Sequence, residues 1–229
     1  MNNRAILLLA LSTALPSAVA APCYGPLNNL TQLETPCYKV IHTAATPREG
    51  LALELREYAG GEAMVAESKA PNATIRDYTE ALIMTSFNVI NYFQGPGNTP
   101  NQPLLTSRTV PLTFHPPTSS RDFWVGRMAL APSLWPPHSK PPTPVKGESL
   151  ELTPLGKGSF LLASIKKQFE GFPLPPDVET MCATLESNLG LLGATLDPDS
   201  IYSPAHAYYF EKENGGLDDV ECWLGVTAA

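Results

Sequence analysis

Leu51-Ala52-Leu53-Glu54-Leu55-Arg56-Glu57-Tyr58, then Gly60-Gly61, then Ala63-Met64-Val65-Ala66-Glu67, is the stretch from which the fold is read. Its first run alternates apolar and charged residues, the two-residue period of a half-buried strand. Gly60-Gly61 is a turn signal, so the two runs read as a hairpin, with Tyr38 to His42 as a strand before it. The period then changes. Asn72 or Thr74 can cap a helix that runs through Phe93 and ends at Gly95-Pro96-Gly97-Asn98. Its apolar positions form two stripes: Tyr78, Leu82, Val89 and Phe93 on one side, and Ile83, Phe87 and Ile90 on the adjacent side. A helix that is apolar on more than one face can cover a sheet and still have surface left for something else.

The second half has a similar plan. Leu105 to Phe114 and Asp122 to Leu130 read as strands, and Ser149 to Thr153 with Ser159 to Gln168 as a further pair. A helix from Asp177 to Leu189, with Asp177 placed to cap it, carries Val178, Met181, Cys182, Leu185 and Leu189 on one face. Ala205 to Glu211 and Val220 to Val226 are the closing strands. The 24 prolines concentrate at Pro132 to Pro144 and Pro173 to Pro176, which are expected to be loops because proline lacks a backbone donor.

The N-terminus reads as a signal peptide. Arg4 precedes an apolar run from Ala5 to Leu15, and Ala18-Val19-Ala20 is a small-residue cleavage pattern, so residues 1–20 are expected to be removed. The run is shorter than the roughly 20 apolar residues of a membrane span. The expected address is secreted or the endomembrane lumen. In that compartment Cys23, Cys37, Cys182 and Cys222 are disulfide candidates, and four cysteines allow three pairings. The pairing expected is Cys23 with Cys37 and Cys182 with Cys222, the latter tying a helix to the last strand. Asn29 and Asn72 begin Asn-x-Thr glycosylation triplets.

Composition is that of one globular domain, 43% hydrophobic, expected over residues 37–229 after an extension at 21–36. Net charge is −7, and −8 once Arg4 is removed, which argues against nucleic acid and anionic membrane surfaces as partners.

Six segments, in order, carry a family resemblance. Leu53-Glu54-Leu55-Arg56-Glu57-Tyr58 resembles the Tyr-Glu-Ile-Arg-x-Tyr strand of the SOUL heme-binding family, and Asn91-Tyr92-Phe93-Gln94-Gly95 with Asn98 resembles its Tyr-Ile-x-Gly-x-Asn helix end. Arg108-Thr109-Val110-Pro111-Leu112-Thr113 is similar to its Met-Thr-x-Pro-Val strand. Pro141-Pro142-Thr143-Pro144, Phe169-Glu170-Gly171-Phe172 and Glu221-Cys222-Trp223-Leu224 are similar to its proline loop, its Phe-x-Gly-Phe turn and its closing strand. The resemblance implies an α+β fold: a distorted antiparallel β-barrel flanked by two α-helices, with internal pseudo-twofold symmetry. It also implies noncovalent binding of heme or another tetrapyrrole, for transport, buffering or scavenging, by a monomer that is not an enzyme.

A tetrapyrrole asks for an apolar cleft, cations for its propionates and, for iron, an axial base. Ile83, Phe87 and Ile90 are the candidate cleft residues, because the family's first helix lines the cleft. Asn91 stands where relatives can place a lysine beside it. Lys39, Arg56, Arg76 and Arg108 are candidate rim cations. Where family members can carry a proposed axial histidine, this chain has Glu57; its histidines are His42, His115, His138 and His206. Two other classes are weighed. A small-molecule hydrolase on this fold could use a cleft carboxylate such as Glu54 or Glu57, although no Gly-x-Ser-x-Gly, His-Glu-x-x-His or phosphate-loop pattern occurs. A protein-interaction module could use the loop from Pro132 to Pro144 as a polyproline ligand.

Overall fold

The computed structural model describes residues 38–58, 64–71, 77–99, 101–104, 112–129, 141–146, 149–154, 159–169, 173–210 and 217–229. Cys23, Cys37, Asn29, Asn72, Arg76, Arg108 and His138 lie outside them.

The strands are β1 (Tyr38–Ala45), β2 (Ala52–Tyr58), β3 (Met64–Pro71), β4 (Asn98–Thr99), β5 (Leu112–His115), β6 (Phe123–Ala129), β7 (Thr143–Pro144), β8 (Leu150–Pro154), β9 (Phe160–Lys167), β10 (Ala194–Leu196), β11 (Ala205–Phe210) and β12 (Leu217–Ala228). Helix α1 (Tyr78–Gln94) separates β3 from β4, and α2 (Pro175–Ser187) follows β9. The order β1-β2-β9-β12-β11-β5-β6-β3-β8, with β10 beside β12, is antiparallel throughout. The α+β expectation holds, and the barrel is corrected: among the described residues the ladder ends at β1 and at β8, so the sheet is open.

The hairpin expected across Gly60-Gly61 is also corrected. Strand β2 pairs with β1 and β9, whereas β3 pairs with β6 and β8. Strand β9 is apolar or small from Phe160 to Ile165 and buried from Leu162 to Ile165. With β1 on one edge of β2, β9 takes the other edge, the place that a hairpin partner would hold. Strands β8 and β9 are likewise not partners of each other.

Both helices pack on one face of the sheet. Val178, Met181, Cys182 and Leu185 of α2 share a core with Leu53, Leu55, Ile165, Val220 and Leu224, and Ala81 and Leu82 of α1 join it over Phe114 and Tyr208. Among the described residues the opposite face has no helix, yet Tyr58, Leu162, Tyr202, Ala207, Tyr209 and Trp223 are buried there in one cluster that extends to Val65 and Ala129. A flat sheet would leave that face in water; this one curls around it. The Cys182–Cys222 disulfide is formed, Cα to Cα 5.4 Å, and ties α2 to β12 as expected. Among the described residues no helix is long and apolar enough to cross a membrane.

Both helix starts differ from expectation. Asp77, not Asn72 or Thr74, caps α1, its Oδ1 accepting from the Glu80 N–H at 2.9 Å. Helix α2 begins two residues before Asp177, because Pro175 and Pro176 occupy its first turn and Asp177 sits there as the acidic residue. Proline is tolerated there, where its missing N–H has no intrahelical partner.

Helix α1 lies against β3 and β6 at close range. A Cβ added to Gly126 of β6 would stand 2.9 Å from the Cβ and Oγ1 of Thr85 and 3.0 Å from its carbonyl carbon. Gly126→Ala is therefore expected to lift α1 and destabilise the fold by about 1–3 kcal/mol. Thermal unfolding checks it: an unchanged melting temperature would mean that α1 is not held this close.

Candidate functional site

Helix α1 is rotated so that Leu82, Val89 and Phe93 face the sheet and Ile83 and Phe87, each 61% exposed, face water. Thr85 on Gly126 and an Asn88 Nδ2 donor to Ser68 Oγ at 3.0 Å fix that rotation. Between the outward stripe and the sheet runs a groove of about 270 Å³. Leu82, Ile83, Ser86, Phe87 and Ile90 line it from α1, Leu112 of β5 and Tyr208 of β11 from the sheet. The three residues that the sequence singles out for a cleft therefore share one concavity.

The other candidates are elsewhere. Arg56, expected at the rim, is a correction: it is 5% exposed and absent from the groove lining. Asn91 is half-buried and outside the lining; its carbonyl accepts the Gly95 and Gly97 N–H groups that end α1. Lys39, His42 and Glu57 are exposed on β1 and β2. Glu54 is hydrogen-bonded to Arg56, and no carboxylate lines the groove among the described residues. Ser86, Leu112 and Tyr208 escape a reading of apolar stripes. Ser86 could have been found from its spacing, three residues after Ile83 and four before Ile90.

Behind the groove lies a short polar chain. Tyr208 and Tyr78 share a hydroxyl hydrogen bond at 2.6 Å, and the Tyr78 hydroxyl meets His206 Nδ1 at 2.6 Å. Burial pushes the Tyr208 phenol up to about 12 and the His206 imidazole down to about 4. Burial, then neighbouring Tyr208, raises Tyr78 as well. All three are neutral at pH 7, so the groove and its backing are uncharged. His206 is fully occupied as core, and His115, equally buried, meets the Ile201 carbonyl at 2.8 Å and Thr113 Oγ1 at 3.0 Å. Neither reaches the groove as a ligand.

The charges collect under the curled face instead. Arg56 donates through Nη1 and Nη2 to both oxygens of Glu221, at 2.8 and 3.0 Å, and its Nε to Glu54 at 2.7 Å. Glu221 also accepts from Trp223 Nε1 at 2.6 Å and the Tyr209 hydroxyl at 3.0 Å. Burial alone would push the Glu221 carboxyl up; the Arg56 charge and these donors hold it below the usual carboxylate range. Nearby, Arg127 pairs with Glu67 at 2.9 Å and lies over the Tyr202 ring. Among the described residues no three His, Cys, Asp or Glu side chains are grouped to hold a metal ion.

No protein-family model matches the chain, and no curated protein does. Among solved structures, the chain is similar to an uncharacterized conserved protein from Listeria innocua, with 12% identity, a TM-score of 0.41, and 76% of this chain and 92% of that one covered. It is also similar to a hydrolase from Listeria innocua, at 14% identity and a TM-score of 0.38, covering 76% of this chain and 91% of that one.

Proposed function

We propose that the groove under α1 binds a flat, largely apolar small molecule noncovalently, a tetrapyrrole being the class the sequence resemblance suggests, in an exported carrier or scavenger. One observation carries the reading: Ile83 and Phe87 stay exposed beside a concavity, although burying large apolar side chains is what folding ordinarily achieves. The Cys182–Cys222 disulfide is compatible with an oxidising compartment.

The lining suits the face of a macrocycle, which Ile83, Phe87 and Ile90 would hold by contact. It supplies neither an axial base nor a cation among the described residues. Affinity would therefore come from ring contact, and a metal-free porphyrin should bind about as well as its iron complex. The test is a titration of the purified mature protein with hemin and, separately, with protoporphyrin IX, followed by tryptophan quenching and visible absorbance. Saturable micromolar binding of both is expected, and Phe87→Ala should weaken both about tenfold, with an unchanged melting temperature because the ring is mostly exposed. No saturable change with either porphyrin would remove the tetrapyrrole reading.

A further inference from the structure

Ser86 is 8% exposed and lines the groove, and its hydroxyl has no hydrogen-bond partner among the described residues. Its neighbour behaves differently: the Thr85 hydroxyl donates to the Ala81 carbonyl at 2.9 Å, the usual outlet for a hydroxyl inside a helix. A buried hydroxyl left unpaired is destabilising, and alanine at this position would avoid the penalty in a helix it suits better. Among the described residues the rest of the lining is apolar side chain or the Tyr208 ring, whose hydroxyl is engaged with Tyr78.

We infer that Ser86 is a specificity-determining residue of the groove, and that its hydroxyl completes its hydrogen bonding with a polar atom on the inserted edge of the ligand. The inference rests on the reading of the groove as a ligand site and narrows the ligand class. The preferred occupant is a planar, mostly apolar ring system carrying a hydroxyl, carbonyl or comparable group at one edge; a bare hydrocarbon of the same shape leaves Ser86 unsatisfied. The hydroxyl oxygen is itself buried and adds no polar surface to the groove, so a change of its χ1 rotamer is what would bring it to such an atom.

Two probes of nearly identical shape, pyrene and 1-hydroxypyrene, test it by their own fluorescence. The wild type is expected to bind 1-hydroxypyrene about tenfold tighter than pyrene, against the hydroxyl's own preference for water. Ser86→Ala should abolish that preference, leave pyrene affinity unchanged, and leave the melting temperature of the free protein equal or higher. Equal affinity for both probes in the wild type, or a preference that survives Ser86→Ala, would overturn the role of Ser86 while leaving the groove a ligand site. If neither probe binds, the ligand site itself fails and Ser86 loses its role with it.

Discussion

Glu221→Ala is expected to lower folding stability by about 3–5 kcal/mol, enough to leave a domain of ordinary stability largely unfolded on mild warming. The size follows from what the carboxylate does. It faces the Arg56 guanidinium bidentately, and both side chains are 6% exposed. Removing it strands a positive charge where water cannot reach it, and Glu54, with 32% of its side chain exposed, is left as a single partner on one nitrogen. Trp223 Nε1 and the Tyr209 hydroxyl also lose their acceptor. Urea unfolding measures the loss, and a value within 1 kcal/mol of wild type would show that the pair is not buried as described. Two controls locate the effect. Glu54→Ala should cost under about 1 kcal/mol, since a partly solvated pair contributes little. The double change Arg56→Met with Glu221→Leu should recover part of the loss by removing both charges. It should not recover all of it, because Trp223 and Tyr209 still lack an acceptor.

The same pair marks where sequence reading stops. Alternation in Leu53-Glu54-Leu55-Arg56 correctly sends the leucines to the α2 core, but the opposite face is ordinarily the wet one. Arg56 therefore looks like a surface cation until the curl of the sheet is known, and its partner is 165 residues away. Strand pairing fails for a related reason: Gly60-Gly61 is a local signal, whereas the second neighbour of β2 is β9, a hundred residues on. Helix α1 was legible because its information is local. A 3.6-residue period separates the stripe that packs from the stripe at Ile83, Phe87 and Ile90, and no long-range contact is needed to see two stripes. What the period could not show was which sheet residues would face the second stripe, so Leu112 and Tyr208 were missed. The start of α2 was hidden because proline reads as a breaker everywhere except in the first turn of a helix.

Acidification from pH 7 to pH 5 should destabilise the protein by about 2 kcal/mol through His206, with a further loss of the same sign from His115. His206 is depressed to about 4 by burial, against about 6.5 in the unfolded chain. His115 is held well below its ordinary value by burial first and then by the charges of Arg127 and Arg121. Between those values the unfolded chain binds the proton and the folded one does not. The stabilisation is thus complete above about pH 6.5 and is lost as pH falls toward 4. Glu221 adds little in this window, because even the unfolded carboxyl is mostly ionised at pH 5 and the folded one is held lower still. Urea midpoints at pH 7, 6 and 5 read the slope directly, and a flat profile would contradict burial of the two rings. His206→Gln should make the slope shallower even if it lowers stability at every pH, because a slope counts protons and not contacts. That separation matters for the groove: His206 braces Tyr78 and through it Tyr208, so ligand affinity and acid stability should fall together wherever imidazole charging breaks that chain.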